Sequence, residues 1–363
     1  MKVALVYDRV NKIGGAERVL VTLHELFPDA PLYTAVYDPK GAPWARVFCV
    51  IPSFINRIPF ARTHHEFFPW LTPLAFQTFD FSGFDVVITV TSAEAKNITT
   101  KKSTIHICYC LTPTRYLWSG FSTYAHDHAV LSFFFRLWAP VLKYLDLLAA
   151  KRPDFYVAIS NHVRQRIKTY YKRDADRVIY PPVETSKFMI KKSAEKGAYY
   201  LFVSRLVPYK RADIVIEACN KLHVPLVVIG KGSEYKKLQK IASPSIQFVT
   251  RYLTDSELSR YYQHCRAFLF AGDEDFGIVA AEAQSAGKPV IAYKESGIAE
   301  IVVNGKTGVL YDEQSPDGLM RAMKKFETLH ITESACRSQA EKFSIKRFKE
   351  EMRAYINSRV NQV

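Results

Sequence analysis

Two glutamates flank a glycine in a pattern that suits a ligand rich in hydroxyl groups. Glu274 and Glu282 lie eight residues apart, and Gly277 stands between them. A carboxylate accepts several hydrogen bonds, so each glutamate could hold the hydroxyls of a sugar ring. The alternative is that both are solvated surface carboxylates, where most glutamates are found.

Two basic residues could neutralise a diphosphate. Arg205 and Lys210 follow the apolar run 199–203 and precede a second run that predicts a helix. Arginine binds a phosphate through its planar fork, and lysine binds it as a point charge. Both could equally be ordinary surface charges, but a position between a strand and a helix favours anion binding.

The glutamates lie in a segment that predicts strand, loop, helix and strand. Residues 267–270 are apolar, as in a strand buried on both faces. An alanine-rich helix then starts near Gly277 and ends at Gly287, a typical helix end. The next strand starts at Pro289. This order is half of a doubly wound sheet.

A doubly wound sheet binds ligands at the carboxyl ends of its strands, against helix N-termini. The backbone amides of Gly277, Ile278 and Val279, with the positive end of the helix, therefore suit a diphosphate. Glu282 lies about 7 Å further along the helix axis, within reach of a ribose. Glu274 precedes the helix and could hold the sugar at the other end of the diphosphate.

Two glycine turns elsewhere resemble anion-binding turns. Gly14 and Gly15 follow the first strand-like run, and Gly230 follows the apolar run 226–229. The second turn lacks the third glycine of the dinucleotide fingerprint, because Tyr235 stands there. We therefore expect no redox cofactor. The apolar runs 32–36 and 47–50 predict two more strands.

The run 274–292, EDFGIVAAEAQSAGKPVIA, resembles the signature of the large retaining glycosyltransferase family 4. The runs GGAERV at 14–19 and SRLVPYK at 204–210 also match this family. The resemblance extends over nearly the whole chain. It implies an α/β protein of the GT-B class, in which two doubly wound Rossmann-like domains face a central cleft.

The same resemblance implies a division into domains. Residues 1–183 would form an N-terminal, acceptor-side domain, and residues 184–343 a C-terminal domain that binds the nucleotide sugar. Residues 344–363 would form a helix that crosses back to the N-terminal domain. The polar run 184–197 would serve as the linker.

The family resemblance also implies roles for individual residues. Glu274, Arg205 and Lys210 would be catalytic, with the two cations neutralising the departing diphosphate. The donor-binding residues would be Gly14, Gly15, Arg205, Lys210, Gly230, Tyr252, Leu253, Glu274, Phe276, Gly277, Ile278, Val279 and Glu282. Asp273 and Asp275 approximate the Asp-x-Asp spacing of a magnesium-bound diphosphate site, but Glu274 between them fits the family role better, so we expect neither a metal nor a cofactor.

Residues 108–118, CYCLTPTRYLW, resemble a block of mannosyltransferase-like members, which predicts mannose and a GDP-mannose donor. Many of those members carry a histidine that contacts the donor sugar where this chain has Leu111. His106 is a possible substitute, although a lone histidine in an apolar strand is usually a core residue. Tyr109 and Arg115 are candidate sugar or acceptor contacts, and Arg115 could instead form a surface salt bridge.

The chain has 363 residues, is 48% hydrophobic and carries a net charge of +15. This charge favours polyanions: nucleic acid, anionic lipid or phosphorylated substrates. Basic and aromatic residues mix in 51–81 and 129–150, which predicts either packed structure or a membrane surface. We therefore expect a saccharide or lipid-linked saccharide acceptor for surface polysaccharide synthesis.

The sequence also predicts where the protein is found. Its six cysteines show no metal-binding spacing, which favours free thiols in a reducing compartment. The apolar run at the start is too short for a signal peptide, and no run is long enough to span a membrane. We expect a protein of the cytoplasm or one that is peripheral on the inner face of the cytoplasmic membrane.

Two other functions fit parts of the sequence. A nucleotide-sugar epimerase of related fold would release an epimer without an acceptor. A basic nucleic-acid-binding protein would explain the charge and would bind DNA or RNA with a steep salt dependence. The glutamate pair with Arg205 and Lys210 argues against nucleic acid as the partner.

Overall fold

The apolar runs of the sequence form two parallel sheets with helices between the strands. The computed structural model describes residues 1–12, 14–63, 70–121, 129–188 and 197–362, with the backbone alone for 129–136. The chain divides into two units, Met1–Tyr180 with Phe348–Val363, and Pro181–Arg347. The predicted α/β class with two doubly wound sheets is confirmed. The part of the predicted linker from 189 to 196 lies outside the described residues.

The first unit contains a seven-stranded parallel sheet in the order β3-β2-β1-β4-β5-β6-β7. Its strands are β1 (Val3–Tyr7), β2 (Leu32–Thr34), β3 (Val50–Pro52), β4 (Val86–Thr91), β5 (Ile105–Cys110), β6 (Phe155–Ala158) and β7 (Arg177–Val178). Every residue of β1, β4 and β5 is buried, as expected for strands covered on both faces. The predicted strand at 47–50 is wrong, because a 3₁₀ helix occupies Pro43–Val47 and β3 starts at Val50.

The second unit contains a six-stranded parallel sheet in the order β10-β9-β8-β11-β12-β13. Its strands are β8 (Tyr199–Val203), β9 (Leu226–Ile229), β10 (Ile246–Val249), β11 (Cys265–Phe270), β12 (Val290–Tyr293) and β13 (Gly308–Tyr311). The strand order reverses between β8 and β11. Such a switch point opens a crevice at the carboxyl ends of the two strands, where ligands bind in this class of sheet.

Helices connect these strands and cover both sheets. They are α1 (Ala16–Leu26), α2 (Leu71–Gln77), α3 (Ala129–Ala149), α4 (Asn161–Tyr171), α5 (Ala212–Leu222), α6 (Tyr235–Ile241), α7 (Asp255–His264), α8 (Ile278–Ser285), α9 (Pro316–Glu327), α10 (Glu333–Ala340) and α11 (Ile345–Val360). Thr254 and Glu257 form a capping box that starts α7. In the described part of the chain, no helix combines the length and apolarity needed to cross a bilayer.

The last helix contributes to the first unit. Phe348, Met352 and Ile356 of α11 are buried, and the Phe348 ring meets the edge of the Tyr109 ring in β5 at 5.8 Å. Lys349 forms an ion pair with Glu25 of α1 at 2.5 Å. The apolar stripe of α11 therefore packs in the core of the first unit.

The end of β9 passes so close to the end of β8 that only glycine fits at position 230. Gly230 has φ of +150°, and a Cβ there would lie 1.8 Å from the carbonyl oxygen of Ser204. Glycine alone tolerates both the conformation and this approach. The predicted glycine turn is thus a packing requirement of the sheet edge.

A Gly230→Ala variant should lose about 2 to 4 kcal/mol of unfolding free energy, because the methyl group must displace the backbone of Ser204. Thermal melting followed by circular dichroism measures the loss. Gly83→Ala is the matched control, since nothing lies within 4 Å of its Cβ position. Equal melting temperatures of the two variants would contradict the packing requirement.

Candidate functional site

The predicted donor-binding residues of the second unit follow four adjacent strands. Arg205 follows β8, Gly230 follows β9, Tyr252 follows β10 and Glu274 follows β11. Parallel strands place their carboxyl ends at one edge of the sheet, so these residues share that edge. Arg205 and Glu274 come from the two strands that flank the switch point.

Lys210 and Glu274 form an ion pair at this edge. The Lys210 ammonium bonds to Glu274 Oε2, with the lysine side chain 7% and the glutamate side chain 19% exposed. The ammonium also lies 5.0 Å from the ring centre of Tyr209 and 5.6 Å from that of Phe270. These rings hold the cation in place and exclude water from one side of it. The structure therefore joins two of the three predicted catalytic side chains.

The backbone of Glu274 is held by a segment that follows β12. The Glu274 N–H donates to Ser296 Oγ at 3.1 Å, and the Gly297 N–H donates to the Glu274 carbonyl at 2.7 Å. A Cβ on Gly297 would lie 2.2 Å from the carbonyl oxygen of Asp275. Sequence reasoning missed this support. The signal was the Ser-Gly pair after the strand that neighbours β11.

Helix α8 starts beside Glu274 through a glycine in a left-handed conformation. Gly277 has φ of +94°, and a Cβ there would lie 2.2 Å from Ile298 Cγ1 and 3.5 Å from Glu274 Cγ. Ile278 and Val279 are partly exposed, so the positive helix end is accessible. Phe276 is buried against Phe343, with ring centres 5.4 Å apart. Its ring is therefore not available to a ligand.

Glu282 lies in a different environment from Glu274. It is 1% exposed, and Tyr262, which is fully buried, donates its hydroxyl to Glu282 Oε2 at 3.1 Å. The same hydroxyl lies 3.2 Å from the Val279 carbonyl. The structure thus places Glu282 on the inner side of α8, next to the core. The ribose contact stays a prediction.

Three other predicted donor contacts, Arg205, Tyr252 and Leu253, each have exposed surface. Arg205 is exposed and donates from Nη2 to the Tyr209 hydroxyl at 2.8 Å. Tyr252 is 79% exposed, and Leu253 is half-buried. All three lie near the carboxyl ends of their strands, where a ligand along the edge would reach them.

Gly14 and Gly15 lead into α1 of the first unit, and both are exposed. The carboxyl of Glu17 lies over this turn, with Oε2 3.0 Å from the Cβ position of Gly14. It accepts a hydrogen bond from the Tyr7 hydroxyl at 3.1 Å. Burial raises the pKa of Glu17. The glycine turn is therefore next to a carboxyl of its own helix, and its contact with a donor diphosphate stays a prediction.

Two predicted sugar contacts, His106 and Tyr109, lie instead in the core of the first sheet. Neither is exposed, the His106 ring bonds to Thr89 Oγ1 at 3.1 Å, and the Tyr109 hydroxyl donates to the Ile179 carbonyl at 2.9 Å. A sugar cannot reach either side chain in this position, because β5 is covered on both faces. Arg115 is half-buried in the segment after β5.

Burial and the guanidinium groups of Arg152 and Arg173 lower the pKa of His106 from its usual 6.5 to about 3. Below pH 6.5 the His106 ring therefore binds a proton in the unfolded chain but stays neutral in the folded chain. Stability is lost as pH falls through this window, by about 2 to 3 kcal/mol between pH 7 and pH 4.5. A His106→Gln variant should lack this part of the loss.

Urea unfolding at the two pH values tests the effect, with tryptophan fluorescence as the signal. All four tryptophans, Trp44, Trp70, Trp118 and Trp138, belong to the first unit, so the signal reports on the sheet that contains His106. The same pH dependence in the variant and in the wild type would show that His106 is protonated in the folded chain.

The first unit has a charge cluster of its own, at the carboxyl ends of its central strands. Asp8, after β1, accepts from Thr91 Oγ1 at 2.7 Å and from the Ala95 N–H at 2.8 Å. Arg9 forms a 3.0 Å ion pair with Glu94. Among the described residues, no three His, Cys, Asp or Glu side chains are placed together to hold a metal ion.

Comparison with known proteins finds a family match within the second unit. Residues 184–343 match the model of the family described as glycosyl transferases group 1. The predicted resemblance to family 4 glycosyltransferases is confirmed. The matched segment contains Arg205, Lys210, Glu274 and Gly277. The sheet edge that carries the candidate site is therefore part of the segment that matches this family.

Two curated relatives match about half of the chain. An uncharacterized glycosyltransferase of Methanocaldococcus jannaschii is 29% identical over 182 residues, which cover 49% of this chain and 50% of the relative. A GDP-mannose-dependent alpha-(1-6)-phosphatidylinositol monomannoside mannosyltransferase of Mycolicibacterium smegmatis is 30% identical over 201 residues, 47% of this chain and 52% of the relative. The chain thus spans about half the length of these relatives.

A solved structure resembles nearly the whole chain. The Anabaena protein HepE, in complex with UDP and glucose, superposes with a TM-score of 0.74 at 17% identity and covers 99% of this chain and 100% of its own. At this identity the likeness shows the fold alone. The GT-B class predicted from the sequence is confirmed.

Proposed function

We propose that this protein transfers a hexose from a nucleoside diphosphate sugar to a saccharide acceptor, with retention of the anomeric configuration. The observation that carries the proposal is the Lys210–Glu274 pair at the switch point, beside the start of α8. The site brings together a cation, a carboxylate and a positive helix end. The cation and the helix end suit the diphosphate of such a donor, and the carboxylate can accept hydrogen bonds from the sugar hydroxyls. The family match of residues 184–343 supports the same activity.

The proposed chemistry depends on stabilising the departing diphosphate. Breaking the bond between the sugar and the phosphate places negative charge on the phosphate oxygens. Lys210 and the amides at the start of α8 neutralise this charge where it develops, and Arg205 reaches the outer phosphate. Glu274 accepts hydrogen bonds from sugar hydroxyls and so fixes the ring for attack by the acceptor from the face that the diphosphate leaves.

We propose GDP-mannose as the donor. The support is the mannosyltransferase-like block 108–118 and the printed name of the Mycolicibacterium relative, which is GDP-mannose-dependent. The structure of HepE with UDP and glucose makes UDP sugars the alternative. Thermal-shift profiles with GDP, UDP and ADP, followed by turnover of the matching sugars, decide between them. Turnover with UDP sugars alone would exclude GDP-mannose.

The diphosphate is proposed to be held by protein groups without a metal. Turnover should then persist in EDTA, and its loss in EDTA with recovery in magnesium would reject this part of the proposal. Product analysis with and without an acceptor separates transfer from epimerisation. An epimer formed in the absence of acceptor would replace the transferase proposal.

We further propose a lipid-linked saccharide as the acceptor, at an anionic cytoplasmic membrane face, in the synthesis of a surface polysaccharide. The net charge of +15 supports this location, because positive charge attracts anionic lipid headgroups. Competition between a lipid-linked and a water-soluble acceptor of the same sugar tests it. Equal kcat/KM for the two acceptors would remove the lipid from the proposal.

A further inference from the structure

Helix α3 exposes an apolar surface to solvent. From residue 137 onward, where its side chains are described, each exposed residue up to 148 is apolar. Six of them are large, and we call these six the outer face of α3. They are Leu137, Trp138, Val141, Tyr144, Leu145 and Leu148. Leu137 and Tyr144 are 63% and 62% exposed, so the outer face lies open rather than merely at the edge of the core.

The acidic residue of α3 points the other way, into the protein. Asp146 is 6% exposed, and its carboxylate accepts from Lys96 Nζ at 2.6 Å, Trp118 Nε1 at 2.7 Å and Thr114 Oγ1 at 2.7 Å. Ala139, Leu142 and Ala149 are buried on the same side. The helix thus has its polar anchor inside and its apolar side outside.

This anchor fixes the orientation of the helix. Rotating α3 to bury the outer face would separate Asp146 from Lys96 and leave both charges without their partner. Removing one partner of a buried pair costs about 3 to 5 kcal/mol, which opposes such a rotation. The exposure of the outer face is therefore set by the fold. An apolar stripe held against water in this way is typical of a binding surface.

The charge beside the outer face selects its partner. Lys151 is exposed directly after the helix, whereas the Lys143 ammonium packs on the rings of Trp118 and Phe121. Between 137 and 151 the only acid is Asp146, which is buried. A second copy of the chain would bring lysine against lysine, since a two-fold contact pairs the same surface with itself. An anionic lipid surface provides the opposite charge.

We propose that the outer face of α3 binds an anionic bilayer, with the helix lying in the plane of the headgroups. Trp138 and Tyr144 fit this position because each combines an apolar ring with a polar tip. Lys151 would contact lipid phosphates while the leucines and Val141 enter the acyl boundary. The inference deepens the proposed function, since it names the surface that would bring the enzyme to a lipid-linked acceptor.

Co-sedimentation with phosphatidylcholine vesicles, with and without phosphatidylglycerol, tests the proposal. The wild type should bind the anionic vesicles. A Leu137→Glu/Tyr144→Glu variant should bind the anionic vesicles at least about tenfold more weakly, because two carboxylates would have to enter the membrane interface. Both positions are exposed, so the substitutions bury no charge in the fold.

The matched control is Ile241→Glu/Val303→Glu in the second unit. These residues are 38% and 39% exposed, and the variant makes the same change of charge and removes two exposed apolar residues. It should bind vesicles about ten times more strongly than the α3 variant. Equal losses in the two variants would mean that net charge alone drives binding, and the proposal would be rejected.

Two further measurements separate this proposal from the others. Sedimentation equilibrium shows whether the wild type forms a dimer that the α3 variant breaks; that result, without vesicle binding, would assign the outer face to a second copy and overturn the proposal. Thermal shift with nucleotides reports the sugar-donor site. Nucleotide binding without vesicle binding rejects only the membrane surface, and vesicle binding without nucleotide binding rejects only the proposed function.

Discussion

A Glu274→Gln variant should keep nucleotide binding and lose sugar transfer by a factor of roughly 10² to 10³. Glutamine preserves the size of the side chain, and the contacts that hold the Glu274 loop to Ser296 and Gly297 use only the backbone of residue 274. The amide has one uncharged acceptor oxygen, so it binds two sugar hydroxyls less strongly than the two charged oxygens of a carboxylate do. The sugar would therefore be held less firmly while the nucleotide is still bound.

The measurement is kcat for transfer, paired with the thermal shift that each nucleotide produces. Glu333→Gln is the matched control, because Glu333 also pairs with a basic residue of the second unit, Arg337 at 3.0 Å, away from the sheet edge. The control should transfer at the wild-type rate. Full activity of Glu274→Gln would remove Glu274 from the site, and loss of nucleotide binding would show that it holds the diphosphate rather than the sugar.

Chain order made the position of the site predictable. Arg205, Gly230 and Glu274 each follow an apolar run, and parallel strands bring the ends of such runs to one edge. The glycine at 277 indicated a helix start, and its positive φ is the physical reason for glycine there. Local patterns of this kind specify elements and the order in which they are connected.

The contacts within the site were not predictable in the same way. Lys210 and Glu274 are 64 residues apart in the chain, and only the strand order of the folded sheet brings them together. Ser296 supports the Glu274 loop through a hydrogen bond between segments that follow β11 and β12, and the Ser-Gly pair in the sequence does not show which segment it contacts. Distances between segments depend on packing, and a single sequence does not record packing directly.

Burial in the sheets misled the sequence analysis at two positions. His106 and Tyr109 lie in a strand that is covered on both faces, where alternation of polar and apolar residues disappears. A polar residue in such a strand has no pattern to show whether it faces a ligand or the core. The burial of Glu282 was also hidden in the sequence. Helix α8 is buried along 280–285, where small and polar residues surround Glu282, so no apolar stripe marks its inner side.

A Lys210→Met variant should lose transfer by roughly 10² to 10³ and also bind nucleoside diphosphates about tenfold more weakly. Methionine keeps most of the apolar stem of the side chain between the rings of Tyr209 and Phe270, but it removes the charge that would meet the phosphates. Lys221→Met is the matched control, because Lys221 pairs with the exposed Asp317 at 3.0 Å. Isothermal titration with GDP and UDP measures the affinity.

A double variant, Lys210→Met/Glu274→Gln, separates the function of the pair from its contribution to stability. Lys210→Met alone leaves Glu274 without its cation and should lower the unfolding free energy by about 1 to 3 kcal/mol. The double variant removes both charges and should regain most of this stability while transfer stays lost. Recovery of transfer together with stability would mean that the pair only supports the fold. If the double variant is stable but inactive, the loss of transfer cannot come from an unpaired charge in the fold. The two charges would then act on the donor.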